Sequence, residues 1–529
     1  MGNLDSLLSE RQRGHRLSAQ ELSRAQQELV EDARRAPAAP LQWTIAEASL
    51  RARPTVFTAL EAEVLHDDYR ATSSARCAAL EYARMSLASE RISNPVLFEF
   101  IIGRCGGSIV QANNFNAVVF SGRRPTEASV FADEGERALQ GLRANGAPRR
   151  GSFGIASTHD RARVAAAMVV VSEELLHLES AAPLVAVDGF VTLEATMLTQ
   201  PVGVRARVAQ GPAAIVACEV TRAADHLTVR CPYEASDASE VIEIVALDEA
   251  GRPVDGRDEF LALRDAGATR AFTTRLPTST AETLATETAA RINAVRTAMG
   301  LAPLTLVPEQ SSTNAQLATL YFADPAGDAR ALAQATAGWE VPVTLAAGES
   351  MADEAPLGMS AEELAAHLLQ SPIDREMLLR PDVTHMALGM RFGPAAIQSL
   401  TSVYRPFPVS DPASDQARLV ALAQAERSQA GLPPLTVVPM PEPLEQALQQ
   451  MVAGEDGNRA FEAASQALGP VAASTDFTVY TLGDLAPDRL LENPAGGAFI
   501  AFAVLPFRPN GASRGAYLVF SLRSETAIP

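Results

Sequence analysis

The ten residues from Gly300 to Glu309, GLAPLTLVPE, return from Gly431 to Met440 as GLPPLTVVPM, identical at seven of ten positions with an offset of 131. In both places the phrase follows a stretch rich in Ala and Arg with helical spacing, opens on the glycine that commonly ends a helix, and leads toward a second helical stretch. Arg296 and Arg427 precede the two copies at the same offset. Two unrelated helix-stop turns would not agree at so many positions. A duplicated unit, with the phrase connecting its first two helices, accounts for both copies.

The 529 residues, 47% of them apolar, exceed what one core usually organises, and about 150 residues per domain predicts three or four. With 63 acidic against 44 basic residues the net charge is −19, which repels phosphate backbones and argues against a nucleic-acid partner. No lysine occurs, so all 44 basic residues are arginine. That removes a Walker loop, a kinase ATP site and a pyridoxal Schiff base, each of which needs a lysine amine. No Gly-x-Ser-x-Gly stands at a strand-to-helix turn, since the one match, Gly511 to Gly515, falls between the strand-like runs AFIAFAVLPF and AYLVFSL, and no Gly-x-Gly-x-x-Gly loop is present.

No run of 18 apolar residues is long enough to span a bilayer, and the start MGNLDSLLSERQRGHRL lacks an apolar leader core. Gly2 and Ser6 match a short myristoylation pattern, and a removed leader replaced by Met-Gly would look the same. The four cysteines fall as Cys77 with Cys105 and Cys218 with Cys231, without the close spacing of a metal cluster. In CEVTRAADHLTVRC, pairing about a turn near Ala224 and Asp225 sets Cys218 opposite Cys231. A cross-strand disulfide and an oxidising compartment fit this register, while two reduced, buried thiols stay open as the alternative.

Periodicity predicts a helical segment over 1–35 and helices at 57–66, 74–90 and 127–144. FEFIIG and FNAVVF read as strands, and GSFGIAST to MVVV as a hairpin around a His-Asp turn. From Pro183 to about Phe272, five or more short β runs point to a small sandwich. The expected divisions are 1–35, 36–180, 181–273, 274–410 and 411–529.

The segment INAVRTAMGLAPLTLVPEQSSTNAQLATLYFA resembles the opening of a CAP domain, the fold of cysteine-rich secretory proteins, antigen 5 and plant pathogenesis-related proteins. GESMA, Gly348 to Ala352, is similar to the family's Gly-Glu-Asn strand. SPIDREMLLRPDVTHMALGMRF, Ser371 to Phe392, is similar to its Ser-Pro-Gly-His-Arg segment and the strand after it. The third copy keeps Arg427, Pro434-Leu435 and Leu448, and a weaker first copy runs from Pro40 through the 151–172 hairpin. The fold class expected is α+β: two or three CAP-like α-β-α sandwiches with an all-β, Ig-like sandwich inserted between the first and second.

The resemblance implies a groove holding two histidines and two acidic residues, which bind a divalent cation in some members. Here Glu349 remains, Asp374 stands where the histidine is expected, and the second helix offers no imidazole. The groove candidates are therefore Glu349, His367, Asp374 and Arg375, with no metal, cofactor or catalytic residue expected. His66 and His159 read as solvated. Asn293, Arg296, His385 and Arg427 are assigned structural roles. Asn293 and Arg296 lie three apart on one helix face, placed to brace the Pro-Leu turn.

These readings lead to a non-catalytic binding or structural protein, secreted, periplasmic or on the cell surface, whose partner is a protein, a cell-surface component or a second copy of the chain. A divergent CAP-type hydrolase or small-lipid binder using a rebuilt groove in 274–410 is the alternative. An intracellular assembly component is a third reading, with the cytoplasm as its location.

Overall fold

The computed structural model describes residues 18–34, 40–45, 69–88, 95–107, 115–122, 151–159, 164–172, 175–178, 187–210, 214–233, 241–249, 251, 253–262, 271–323, 329–337, 345–406, 412–432, 434, 436–452, 475–482, 499–507 and 516–524, with single positions 49, 462 and 466. The expected helices at 57–66 and 127–144, and His66, lie outside the described residues.

Helix α1 (Ala19–Arg34) and strand β1 (Gln42–Thr44) come first. They are followed by β2 (Tyr69–Ala71), α2 (Ser73–Ala88), α3 (Pro95–Cys105), β3 (Phe115–Gly122), β4 (Gly151–His159) and β5 (Val164–Ser172). Nine strands come next: β6 (Leu176–Leu178), β7 (Phe190–Met197), β8 (Gly203–Gln210), β9 (Ala214–Ala217), β10 (Glu219–Ala223), β11 (His226–Pro232), β12 (Val241–Leu247), β13 (Pro253–Ala262) and β14 (Ala271–Thr273). A second mixed region holds α4 (Ala281–Ala298), β15 (Thr305–Leu306), α5 (Pro308–Ala323), α6 (Ala329–Ala337), β16 (Leu345–Pro356), α7 (Ala361–Leu368), α8 (Pro372–Leu378), β17 (His385–Phe392) and β18 (Ala396–Pro406). The last comprises α9 (Pro412–Gln429), β19 (Thr436–Val438), α10 (Glu442–Val452), β20 (Thr475–Leu482), β21 (Phe499–Phe507) and β22 (Ala516–Ser524).

Three sheets share one strand order: β2-β4-β5-β3, β15-β17-β18-β16 and β19-β21-β22-β20. In each, the first pair is parallel and the other two are antiparallel. A parallel pair needs a crossover, and the helices following β2, β15 and β19 lie in it. Helix α5 crosses β17 so closely that a Cβ on Gly389 would stand 2.2 Å from the Ala315 nitrogen. Helix α2 crosses β4 in the same way, where a Cβ on Gly154 would stand 2.2 Å from the Arg76 nitrogen.

The repeated phrase is the turn between α4 and α5, and again between α9 and α10. Gly300 and Gly431 adopt φ of 76° and 69°, the left-handed conformation that glycine takes without steric cost. Behind them the Leu301 amide donates to the Arg296 carbonyl at 2.9 Å, and Leu432 donates to Arg427 at 2.8 Å. Helix α5 begins at Pro308, inside the phrase, because proline's fixed φ suits a first helical turn.

FEFIIG is helical, not a strand: Phe98 to Gly103 form the centre of α3. A short, mostly apolar run, broken only by Glu99, has too little period to separate a strand from a buried helix. Pro95 starts the helix, and Cys105 at its end is joined to Cys77 of α2.

Sheets β10-β11-β7-β6 and β13-β12-β8-β9 pack face to face. Their shared core includes Val191, Leu193, Leu227 and Val229 from one sheet and Ala206, Val208, Ile242 and Ile244 from the other. The turn between β10 and β11 is Ala224-Asp225, with Ala224 at φ 56°. Cys218 and Cys231, facing each other just beyond the Glu219↔Arg230 pair, form a disulfide.

Two N-terminal elements lie on later parts of the chain. Ala25 and Leu22 of α1 pack with Leu317, Leu320 and Tyr321 of α5, and Glu21 pairs with Arg330 at 3.0 Å. Strand β1 pairs with β14, while Trp43 within it donates to Glu81 of α2 at 2.9 Å. Among the described residues no helix is long and apolar enough to cross a membrane.

Candidate functional site

The four groove candidates do not converge: Glu349 and His367 lie at two separate points along β16, and Asp374 and Arg375 lie on α8. Glu349, half exposed at 49%, is ion-paired with Arg380 at 2.7 Å. Arg380 also holds Asp382 through two bonds of 2.8 and 2.6 Å, which lowers the Asp382 pKa. Four residues on, Asp353 lies on the same side of the strand, roughly 13 Å away at about 3.3 Å per residue.

Asp353 pairs with His367 at 3.3 Å. Helix α7 places the histidine: Ser360 caps it, Glu363 closes the capping box, and its inward residues Leu364, Ala365 and Leu368 enter the core. His367 stands in the last turn, where the helix dipole favours a cation. Burial opposes its charge, but the Asp353 carboxylate, Glu99 and the Glu354 main-chain carbonyl outweigh it, and its pKa is raised to about 9. An imidazolium in that position is a donor, not a base.

Helix α8 starts at Pro372 and presents Asp374, Arg375 and Glu376 in succession. Burial pushes Asp374 up to about 7, with Asp353 adding to the shift and the Ser371 hydroxyl and His367 opposing it. Arg375 donates through Nε to the Leu369 carbonyl at 2.5 Å. Its Nη1 donates to the carbonyls of Gln210 and Ala214, at the turn between β8 and β9, at 3.3 and 3.0 Å. Glu376 pairs with Arg207 of β8, which also pairs with Glu243 directly across the strand on β12.

Alternation in β8 and β12 turns Ala206, Val208, Ile242 and Ile244 inward, so Arg207 and Glu243 belong to the outer face. Glu243 is nonetheless 0% exposed and Val245 3%. Helix α8 packs on β8 and β12 and covers that face. A further carboxylate comes from α3, where burial, reinforced by Asp353 and Glu354 and opposed by His367, raises Glu99 to about 8.

The residues assigned structural roles are all placed. The Asn293 side chain donates to the Leu304 carbonyl at 2.8 Å and accepts from the Leu304 amide at 2.7 Å. Arg296, 0% exposed, donates to the carbonyls of Ala302, Leu378 and Arg380 at 2.9, 2.7 and 3.0 Å. It therefore ties the repeated turn to the end of α8. His385 stacks on Tyr404 with ring centroids 5.4 Å apart, and burial lowers its pKa. Arg427 is buried on α9. His159 ends β4, and both cysteine pairs are disulfides.

Sequence reasoning missed Glu99, Asp353, Arg207, Glu243, Glu376 and Arg380. Its one available signal was charge inside apolar runs, Arg207 in GVRARVA and Glu243 in VIEIVAL, which alternation assigns to an outer surface. Among the described residues, no group of three or more His, Cys, Asp or Glu is arranged to hold a metal.

No protein-family model matches the chain, and no curated protein is similar to it in sequence. Among solved structures it is similar to a cysteine-rich secretory protein from Staphylococcus aureus, with a TM-score of 0.22 and 11% identity, over 44% of this chain and 83% of that one. It is similar also to an extracellular protein containing an SCP domain from Bacillus anthracis, with a TM-score of 0.21 and 9% identity, over 44% of this chain and 89% of that one.

Proposed function

We propose that this chain is a non-catalytic binding and structural protein, secreted, periplasmic or held at a cell surface, built from three CAP-like α-β-α units. In this reading the units occupy 36–180, 274–410 and 411–529, an Ig-like sandwich occupies 181–273, and 1–35 is a helical segment whose described part, α1, packs on the second unit. The repeated phrase and the shared strand order support the three copies. The two disulfides support an oxidising compartment. The partner is a protein, a cell-surface component or a second copy of the chain.

The observation that carries the non-catalytic part is the engagement of α8. The helix similar to the family's Ser-Pro-Gly-His-Arg segment gives Arg375 to two sandwich carbonyls and Glu376 to a sandwich arginine. Glu349 is neutralised by Arg380, and His367 is held by Asp353. Hydrolysis needs a base with a free lone pair beside an open position, and these side chains hold one another instead.

Calorimetric titration of the full chain with Zn²⁺, and a fatty-acid and phospholipid binding screen, test the reading beside a Glu349→Ala/Asp374→Ala variant. Wild type and variant are expected to give the same isotherms. Saturable, near-stoichiometric binding that the variant abolishes would overturn the reading in favour of a rebuilt groove.

A further inference from the structure

Residues 18–45 are held at two ends in different ways. Strand β1 is built in by backbone and core: the Leu41 amide donates to the Thr274 hydroxyl and the Thr274 amide to the Leu41 carbonyl, both at 2.8 Å. Ile45 and Phe272 enter the core around α2 and α3, and Trp43 bonds Glu81. Helix α1, earlier in the chain, is seated elsewhere. Its seat is an apolar row on α5 and α6, formed by Leu317, Leu320 and Tyr321 with Ala331 and Ala335.

Among the described residues, α1 brings Leu22 and Ala25 to that row, three apart on one helix face. Glu21 adds its pair with Arg330 at the start of α6, with both side chains partly exposed. Gln20, Ser23, Gln26 and Gln27 are exposed. The start of α1 is also closed on itself: the Ser18 amide and hydroxyl donate to the Glu21 carboxylate at 2.8 and 2.9 Å, and the Glu21 amide donates back at 3.3 Å. A capping box is local and travels with its helix.

The first crossover helix is covered in another manner. Helix α3 packs on α2 through Leu97, Ile101 and Ile102 and is bonded to it through Cys105 and Cys77. That cover is covalently held. Residues 18–45 contain no cysteine, so α1 stays on α5 by packing and one ion pair, and is joined to β1 by seven residues. Fully extended, this tether reaches at most about 29 Å.

We propose that the α5 and α6 face is a helix-docking seat, and that α1 of a second copy of the chain takes it in exchange for the chain's own α1, giving an arm-exchanged dimer. What the seat already holds defines its occupant: a helix with a carboxylate just before a leucine and an alanine three residues beyond that leucine. A second copy carries the identical helix on an identical tether. Exchange re-forms every contact of the seat, so the exchanged pair is reached at low cost once concentration offsets the entropy of association. When α1 lifts, Leu317 and Leu320 lose their cover, and burying that apolar surface again drives re-docking of either arm. The short tether restricts the pair to copies that meet where β1 and α5 lie within its reach. The inference rests on the part of the proposed function that names a second copy as partner, and its test reads mass, which no metal or lipid result in the groove decides.

Analytical ultracentrifugation of the full oxidised chain, concentrated, warmed below its melting transition and cooled, measures the exchange. Wild type is expected to form a dimer that grows with concentration. Leu22→Asp, which sets a charge against Leu317 and Leu320, should weaken that dimer by about tenfold or more through the lost apolar contact. A charge swap provides a second reading. Glu21→Arg and Arg330→Glu each set like charges within their own seat, but mixed together they match arm to seat in both directions. The mixture should hold severalfold more dimer than either variant alone, in line with about 0.2–1 kcal/mol for each exposed pair. A wild-type chain that stays monomeric, a Leu22→Asp dimer as strong as that of wild type, or a mixture no more dimeric than its separate components would overturn the proposal.

Discussion

Arg375 donates to the main-chain carbonyl of Ala214 at 3.0 Å, joining residues 161 positions apart. With the Glu376–Arg207 pair beside it, this bond fixes one wall of the candidate groove to the outer face of the sandwich. A wall held in this way acts as a joint between two parts of the chain.

Arg296 stands at the other end of α8. Its guanidinium satisfies three carbonyls, and burial lowers its pKa without abolishing its charge. Arg296→Ala leaves those carbonyls without their donor and should cost on the order of 3 kcal/mol in denaturant unfolding. Arg296→Lys should recover only part of this, since one ammonium cannot reproduce the planar fork.

Glycine substitutions separate close packing from backbone strain. Gly389→Ala and Gly154→Ala each place a methyl against the backbone of a crossing helix and should cost about 3 kcal/mol, at the upper end for overpacking. At Gly431 nothing stands within 4 Å of a built Cβ, so Gly431→Ala meets only the penalty of its φ, about 1 kcal/mol. Urea denaturation of the three variants should rank them in that order.

The chain as isolated without reductant should titrate no thiol even when denatured, since both cysteine pairs are bonded. Four titratable thiols would favour an intracellular location. Replacing Cys77 and Cys105 with alanine opens a loop of 28 residues and should cost about 3 kcal/mol, seen as a lower melting temperature.

Much of this architecture is written locally. Gly300 and Gly431 mark helix ends, Ser360 and Glu363 mark a helix start, and alternation in HLTVRC sets the register that brings Cys218 to Cys231. Asn293 and Arg296 bond backbone within a few residues of the turn they flank, which spacing can indicate, whereas the bonds of Arg296 to Leu378 and Arg380 cross the fold and spacing gives no sign of them. The site was less legible because its partners are remote. Glu99 meets β16, and Arg207 meets α8, only after separate sheets have packed, which no periodicity encodes. FEFIIG failed for another reason: a run this short and this apolar reads alike as strand or helix.

The most direct measurement of the joint is amide exchange in the full chain carrying Arg375→Met, compared with wild type over residues 207–217 and α8. Both segments are expected to exchange faster together, by at least about tenfold, as follows from losing hydrogen bonds from a charged donor, while α4 is unchanged. Unaltered exchange over 207–217 would contradict it.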